Sequence, residues 1–412
     1  MEPNALAIES APPAARPPYT RLQLVSYILG LGTWGFGGPV ALVGYMHRDL
    51  VERRQWISEA EYKEGLTLAQ IMPGPLAAQL AMYLGYVHYS ILGATLVGVA
   101  FVLPSFCMVL ALGWAYREYE GLSWMQAVFY GVGASVIAII AISAYKLTKK
   151  AIGNSGLLSA IAAVSAVVTI ITEQEYVLLF LAAGMITWLI RTPPGGLWRR
   201  GTSTLITPLL GMLPALGRTE FQSASPEEHV RVLGQIVWFF TRAGAFVFGS
   251  GLAIVPFLYG GVVKEYGWLN DRQFIDAVAV AMITPGPVVI TVGFIGFLVA
   301  GWTGATLAAF ATFLPCYLFT IIPAPYFKKH GKRPGIIAFV DGVTAAAIGA
   351  IAGAVVVLGR RTLLDHSLPD WWKVGLFAIT LAVLLRFKNL PEPVVVIAAA
   401  AAGLAIYPWV HG

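Results

Sequence analysis

Three long apolar stretches dominate this chain, and each is long enough to cross a lipid bilayer as a helix. They cover residues 91–116, 124–147 and 336–358. A helix needs about 20 apolar residues to cross the hydrocarbon core, and in lipid only helices and closed barrels satisfy every backbone hydrogen-bonding group. Because 58% of the residues are hydrophobic and 12% are charged, the sequence predicts an all-α polytopic membrane protein.

The chain repeats itself. An offset of 212 residues aligns Gly32 with Gly244, Phe36 with Phe248, Trp56 with Trp268, and the Pro-Gly-Pro of residues 73–75 with that of residues 285–287; an offset of 211 then aligns Leu103-Pro104 with Leu314-Pro315. Duplicated halves are typical of secondary transporters. We therefore predict a disordered tail (1–20), a first transmembrane repeat (21–191), a cytoplasmic linker (192–230) and a second transmembrane repeat (231–412).

The relative orientation of the two halves depends on whether the segment broken at Pro-Gly-Pro crosses the membrane. If it crosses the membrane, each half has six crossings and the Lys and Arg residues outside the spans divide 13 to 13. If it is a re-entrant hairpin, each half has five crossings, the halves are inverted, and 18 basic residues lie on one side against 8 on the other. Cytoplasmic loops carry the excess of basic residues. The sequence thus predicts two inverted repeats, each of about five transmembrane helices plus a re-entrant hairpin broken at Pro-Gly-Pro.

The broken segments carry signals for helix starts and stops. Ser58 with Glu61, and Asn270 with Gln273, form capping boxes at the start of each segment. Proline then interrupts each helix, and the second proline of each motif stands at the favoured first position of a new helix. Free amides at such a start can bind an anion. The predicted donors are the amides of Gly74, Leu76, Ala77, Gly286, Val288 and Val289. The alternative is a proline kink without a ligand.

Other residues extend this predicted site. The glycine-rich stretches at 35–39 and 247–251 serve either close helix packing or the substrate path. Arg242 lies inside an apolar span, where a charge is costly, so we expect binding or gating there, against the alternative of snorkelling to the surface. The predicted substrate-binding residues are Gly37, Gly38, Pro73, Gly74, Pro75, Leu76, Arg242, Gly249, Ser250, Thr284, Pro285, Gly286, Pro287 and Val288.

Two acids occupy equivalent positions in the broken segments. Glu64 and Asp276 align at the offset of 212. They are candidates for proton coupling, while the plainer interpretation is that acids near a helix start stabilise its dipole.

An enzyme is not predicted. All six histidines fall in or beside loops, and Cys107 and Cys316 have no CxxC or histidine companion. We expect no catalytic residue, no metal, no cofactor and no nucleic-acid partner. The basic residues beside the spans are a topology signal.

With these motifs in view, the chain resembles the chromate ion transporter family in its long, two-domain form. The resemblance rests on residues 36–39 and 72–75 and on their counterparts 248–251 and 284–287, and it covers both halves. It implies chromate efflux across the bacterial plasma membrane and chromate resistance. The second half lacks the full Gly-Gly-Pro, so the halves need not contribute equally. Uptake or exchange of sulfate or another oxyanion, a passive channel, and assembly as a homodimer all stay open.

Overall fold

The computed structural model describes most of both repeats. The described residues are 18–36, 38–119, 123–173, 177–192, 226–245, 248–249, 254–326, 334–365, 368–387, 390 and 392–411. The predicted site residues Gly37 and Ser250 lie outside this set, as do nearly all of the predicted tail and residues 193–225 of the predicted linker. Those predictions stay untested.

Helices account for nearly all of the described structure. The helices of the first half are α1 (Arg21–Trp34), α2 (Gly38–Met46), α3 (Glu59–Ile71), α4 (Leu76–Tyr119), α5 (Ser123–Leu147), α6 (Gly156–Thr172) and α7 (Val177–Arg191). Those of the second half are α8 (Pro226–Ala245), α9 (Ile254–Tyr259), α10 (Asp271–Ile283), α11 (Thr291–Ile321), α12 (Pro334–Leu363), α13 (Trp371–Arg386) and α14 (Glu392–His411). The short strands are β1 (Gly74–Pro75), β2 (Phe248–Gly249), β3 (Leu364–Asp365) and β4 (Leu368–Pro369).

Five of these helices are long and apolar enough to cross a membrane, and α6 and α7 are shorter apolar helices. Large apolar side chains point outward along these helices, including Ile171 and Ile397. A surface of this kind needs lipid around it. The prediction of an all-α polytopic membrane protein is confirmed.

The first apolar segment of each half folds back on itself. In the first half, the Tyr27 hydroxyl of α1 donates to the Tyr45 carbonyl oxygen of α2, and the rings of Tyr19 and Trp56 stack 4.9 Å apart at the open end. We call this pair of helices glycine hairpin 1. Helices α8 and α9 form glycine hairpin 2, in which the Phe239 ring stacks at 5.3 Å on a ring of α9.

These hairpins correct the expected number of crossings. The sequence predicted that the first segment of each half crosses the membrane, giving about five crossings beside one hairpin. In each half, however, the two limbs of this segment pack side by side, through Tyr27 and Tyr45 in the first half and through Phe239 and Phe257 in the second, so the chain returns to the face from which it entered. Among the described residues, the first segment of each half is therefore a re-entrant hairpin and not a crossing, beside the crossings formed by the five helices that are long and apolar enough to span a membrane. Hydropathy missed this because a buried hairpin and a spanning helix have the same apolar composition.

The segments broken at Pro-Gly-Pro are hairpins, as predicted. Both capping boxes are present in full, and the helices before the motifs end at Met72 and Thr284, each the residue before a proline. Proline hairpin 1 consists of α3 and residues 76–88 of α4; its ends meet where His88 Nε2 lies 3.2 Å from Glu61 Oε1. Proline hairpin 2 consists of α10 and residues 288–299.

Both proline hairpins continue through a sharp reversal into a crossing helix. Non-helical backbone at Tyr89 and Ser90 turns α4 back on itself. Ala300 and Gly301 do the same in α11. After the first reversal, a Cβ atom on Gly85 would lie only 2.6 Å from a carbonyl oxygen across the turn, so the two limbs pack backbone to backbone.

The two halves are inverted. Helices α5 and α12 are equivalents in the repeat, yet the beginning of α5 lies at the end of α12: the Tyr130 hydroxyl donates to Asp370 at 2.7 Å. The beginning of α12 lies instead at the end of α7, where Arg191 pairs with Asp341 at 2.6 Å. Equivalent helices thus run in opposite directions, as the count of basic residues predicted.

Inversion gives the protein two unlike ends, which we call face 1 and face 2. Face 1 carries the open ends of glycine hairpin 1 and proline hairpin 1, near Trp56 and Glu61. Face 2 carries the open ends of the two hairpins of the second half. There the loop after α6 supplies Glu173, whose carboxylate pairs with Lys264 at 2.5 Å and Arg361 at 3.0 Å. The closed ends of all four hairpins point into the interior from opposite sides.

Candidate anion site where four chain breaks meet

The closed ends of the hairpins contact each other across the two halves. Strand β1, the Pro-Gly-Pro break of the first half, pairs in parallel with β2, the glycine-rich break of the second: Gly74 faces Phe248 and Pro75 faces Gly249. In the mirrored contact, the Gly286 amide donates to the Gly35 carbonyl oxygen at 3.0 Å. We call this meeting point of the four breaks the break junction. The repeat aligned these motifs in sequence, and the inverted fold brings them together in space.

Only glycine fits at the centre of each proline motif. Gly74 has a φ of +143° and Gly286 a φ of +95°, a region that side chains with a Cβ atom rarely adopt. A Cβ atom on Gly74 would also lie 3.1 Å from Cys316 Sγ, and one on Gly286 would clash with Ser105 Oγ. Both breaks therefore require glycine for backbone conformation and for space.

Buried polar side chains satisfy the carbonyl group of the first proline in each motif. The Pro73 carbonyl oxygen accepts from Gln79 Nε2 at 2.7 Å. The Pro285 carbonyl oxygen accepts from Ser105 Oγ, also at 2.7 Å. Gln79 comes from the same hairpin as its partner, whereas Ser105 comes from the other half, so the two breaks are stabilised in different ways.

Several of the predicted amide donors are already paired in this structure. The Gly286 amide is bonded to Gly35, and the β1–β2 pairing uses backbone groups around Gly74 and Gly249. Thr284, predicted to contribute to the site, donates its hydroxyl to a carbonyl group of its own helix. The second half also differs locally, since a 3-10 turn at Val288–Ile290 precedes α11. At the break junction, a protein carbonyl group thus already occupies the Gly286 amide, one of the predicted donors.

A cleft leads from face 1 toward the break junction. It has a volume of about 990 Å³ and runs between α1 and α2 from Trp56 at the open end to Gly35 and Phe36 at the closed end. Arg48 and Arg54 contribute positive charge to its wall. Asp49 lines the same wall and pairs with Arg48 at 3.0 Å, and the backbone of residues 35 and 36 lies at the closed end.

The two predicted coupling acids lie in the proline hairpins, away from the breaks. Asp276 is buried and accepts a hydrogen bond from the Tyr116 hydroxyl at 2.8 Å; it lines a cavity of about 350 Å³ between the halves. Glu64 has one carboxylate oxygen that is buried and has no hydrogen-bond partner in the protein. Among the residues described, no group of three or more His, Cys, Asp or Glu residues is arranged to hold a metal ion.

Arg242 does not join the break junction in this structure. Its guanidinium group lies over the Trp238 ring, 5.8 Å from the centroid, one helical turn back toward the open end of glycine hairpin 2. Trp238 itself is 62% exposed. A role of Arg242 in binding would therefore need its side chain to move, and that role stays a prediction.

Sequence reasoning missed several residues of the site. Ser105 and Cys316 directly follow Pro104 and Pro315, which the repeat aligns, and both contact the central glycine of the opposite half. Their equivalence in the repeat was the signal that could have found them. Arg48 and Arg54 were counted only as loop charges, because a segment assumed to cross the membrane has no cleft between its two parts.

The structure has two inverted halves whose broken helices meet inside the protein. This duplicated architecture agrees with the comparison to known families. A family profile described as "Chromate transporter" matches residues 22–188 and again residues 234–404. The chain belongs to the chromate transporter family. The two matched ranges also coincide with the two repeats found by aligning the chain with itself.

Named relatives extend the match over nearly the full chain. A "Chromate transport protein" of Cupriavidus metallidurans is 65% identical over 96% of this chain and 95% of the relative. A "Probable chromate transport protein" of Synechococcus elongatus is 63% identical over 95% and 97%, and a "Chromate transport protein" of Pseudomonas aeruginosa is 30% identical over 98% and 96%. No solved structure matches the chain.

Membership in the chromate transporter family confirms two predictions. The protein is a membrane transporter and not an enzyme, in keeping with relatives that are named transport proteins. It is a multi-pass protein, with the bacterial inner membrane as the location that agrees with these relatives. The resemblance noted from residues 36–39 and 72–75 is confirmed as well.

Proposed function

We propose that this protein exports chromate from the bacterial cytoplasm and so confers chromate resistance, with the anion bound at the break junction. The observation that carries the proposal is the meeting of two Pro-Gly-Pro breaks with two glycine-rich breaks deep in the protein. Backbone amides at helix starts favour anions without requiring a charged side chain. Membership in the family and the names of the relatives support chromate as the anion.

The charge of face 1 supports its orientation toward the cytoplasm. This face carries the basic residues of segments 48–63 and 146–150, together with Arg191. Because basic residues accumulate on the cytoplasmic side, face 1 is cytoplasmic in this proposal. The cleft with Arg48 and Arg54 then opens toward the cell interior. A negative-inside potential favours outward movement of an anion by about 2.3 kcal/mol per charge per 100 mV.

The pairing of the breaks supports a mechanism in which the anion replaces backbone carbonyl groups. The Gly35 carbonyl oxygen on the Gly286 amide stands where an anion oxygen would bind. Withdrawal of glycine hairpin 1 frees this amide toward face 1, and withdrawal of glycine hairpin 2 frees the first-half donors toward face 2. Since the two hairpins enter from opposite faces, moving one at a time gives alternating access.

Glu64 and Asp276 are the proposed sites of proton coupling. Both are ionisable groups within membrane-embedded hairpins, a setting that often marks a proton path. They belong to hairpins that open at opposite faces, so each acid can exchange protons with one side only. Substituting either residue by its amide is expected to abolish the dependence of transport on the pH gradient while leaving chromate binding.

Chromate flux in everted membrane vesicles tests the proposed function. In everted vesicles the cytoplasmic face of the membrane is on the outside, so export by the wild-type protein moves chromate inward. Energised vesicles should therefore accumulate chromate. Gly74→Leu should abolish accumulation. Uptake that appears only in right-side-out vesicles, or that occurs with sulfate and not with chromate, would instead establish an oxyanion importer or exchanger, which is the second candidate function.

A further inference from the structure

The buried amide group of Gln79 leaves one hydrogen-bond acceptor without a partner at the break junction. Its Nε2 donates to the Pro73 carbonyl oxygen, while Oε1 is buried and has no hydrogen-bond partner in the protein. The whole residue is 0% exposed. A Cβ atom on Gly74 would lie 2.6 Å from Gln79 Cδ, so the amide group lies directly against the break.

Chemistry fixes which way this amide group points. Oxygen and nitrogen of a glutamine side chain are assigned from their hydrogen-bond partners. A carbonyl oxygen only accepts, so the atom 2.7 Å from the Pro73 carbonyl oxygen is the N–H group. The reverse orientation would place two acceptors against each other. The unpaired atom is therefore the acceptor.

An acceptor has no role toward a fully deprotonated oxyanion, whose oxygens are all acceptors too. Leaving a buried acceptor unpaired beside such a ligand costs binding free energy. An oxyanion that carries one proton has an O–H group to donate. We infer that the break junction selects the protonated form of a tetrahedral oxyanion, hydrogen chromate, and that Gln79 Oε1 accepts its O–H group.

This inference rests on the proposed function and adds the basis of substrate selectivity. Chromate and sulfate have the same shape and charge, but chromate takes up a proton near neutral pH whereas sulfate does so only in strong acid. A site that must hydrogen-bond a hydroxyl group rejects analogues that lack it far better than a cavity can reject them by size. The transported species then carries one negative charge, and its proton leaves the cell with it.

The acceptor is particular to the first half. The position equivalent to Gln79 is Thr291, whose hydroxyl group donates to the Val288 carbonyl oxygen within its own turn. Thr291 is also fully buried. Thr291→Val is therefore a matched control, since it removes a buried polar group of the other proline hairpin and leaves the Gln79 acceptor in place.

The test uses the purified full chain in proteoliposomes with radiolabelled chromate, between pH 6 and pH 8.5. The KM for total chromate should rise about tenfold per pH unit above the pH at which hydrogen chromate loses its proton. Inorganic phosphate, which keeps a proton throughout this range, should inhibit at least about tenfold more strongly than sulfate. Gln79→Leu should lose the preference for phosphate over sulfate, and Thr291→Val should keep it.

Each result decides a separate point. A KM for total chromate that does not change with pH, together with equal inhibition by sulfate and phosphate, would overturn the inference and leave chromate export intact. Wild-type protein that moves no chromate at any pH would overturn the proposed function itself. An active Gln79→Leu protein with wild-type selectivity would also overturn the role of Gln79; if that variant does not fold, the wild-type competition data decide.

Discussion

The two glycine hairpins have the same fold but opposite chemistry. Glycine hairpin 1 packs Tyr27 and Tyr45 beside an open cleft whose wall includes charged side chains. In glycine hairpin 2 the equivalent residues are Phe239 and Phe257, whose rings stack on each other. Duplication therefore preserved the backbone, while the side chains left a cleft in one hairpin and filled the other with aromatic rings.

The charged positions differ in the same sense. Asp49, which accepts from the Tyr27 hydroxyl at 3.3 Å, becomes Gly261 in the second half, where the Phe239 ring fills the space above the glycine. Arg54 becomes Tyr266, which stacks on Trp268 at 4.4 Å. The two hairpins therefore differ in charge and in packing at their open ends, and this difference is already present in their sequences.

The largest effect is expected where glycine hairpin 1 contacts the second half. Gly286→Val places a Cβ atom against Ser105 and forces a branched residue to a φ of +95°, at a cost of about 1–3 kcal/mol for the backbone alone. Chromate transport in vesicles should fall at least about 100-fold. The control is Gly267→Ala, which has a φ of +62° but nothing within 4 Å of the new Cβ atom. Equal losses of transport in both variants would mean that backbone strain, and not the contact with Ser105, causes the effect.

Removing the aromatic closure should destabilise glycine hairpin 2 more than the same change in glycine hairpin 1. Phe239 is 1% exposed, and Phe239→Ala leaves a cavity that costs about 3–5 kcal/mol of unfolding free energy. Tyr27→Ala should cost less, because Tyr27 borders an open cleft. Thermal unfolding in detergent measures both. If the two variants lose the same stability, the contrast between closed and open hairpins is wrong.

The charge of the open cleft should affect substrate capture. Arg54→Gln removes a positive charge from the cleft wall, so the KM for chromate should rise roughly threefold or more at low salt, and less at high salt. The control is Arg53→Gln, a neighbouring charge with 69% side-chain exposure that does not line the cleft. Initial rates in proteoliposomes at two salt concentrations measure the effect. A similar rise in both variants would mean general surface charge and not the cleft.

The smallest effect is expected at the ion pairs that tie glycine hairpin 2 to the first half. Burial raises the pKa of Glu173, but hydrogen bonds and charge from Lys264 and Arg361 outweigh it, so the pKa is lowered overall. The stabilisation is therefore present above the ordinary pKa of glutamate and is lost as the pH falls through the lowered value. It should amount to at most about 1 kcal/mol. Unfolding of wild type and Glu173→Gln at pH 7 and pH 4 measures it; the difference between the two proteins should be smaller at pH 4 than at pH 7.

Much of the local structure could be predicted because its causes are local. Pro73 and Pro285 must end the helices before them, and the capping boxes at Ser58 and Asn270 start those helices where expected. The count of basic residues predicted the inversion, since that count reflects the side on which each loop lies. The resemblance of the glycine and proline motifs to a known family gave the transport class.

The crossing number and the state of the anion donors could not be predicted in the same way. An apolar segment such as residues 21–46 satisfies its backbone equally well as a hairpin or as a span once other helices surround it. The Gly286 amide was expected to be free, yet it is paired with Gly35, more than 240 positions away in the chain. The unpaired acceptor of Gln79 likewise depends on its packing against the Gly74 break, which the tertiary structure alone shows.

The sequence by itself determined that this protein is a duplicated, inverted membrane protein, because apolar length, proline breaks and the side preference of basic loops are properties of single segments. Only the tertiary structure decided that glycine and proline breaks of opposite halves meet, which donors they occupy, and that one hairpin is open and its twin closed. Those facts depend on pairs of residues that are distant in the chain, and no single segment contains both members of such a pair.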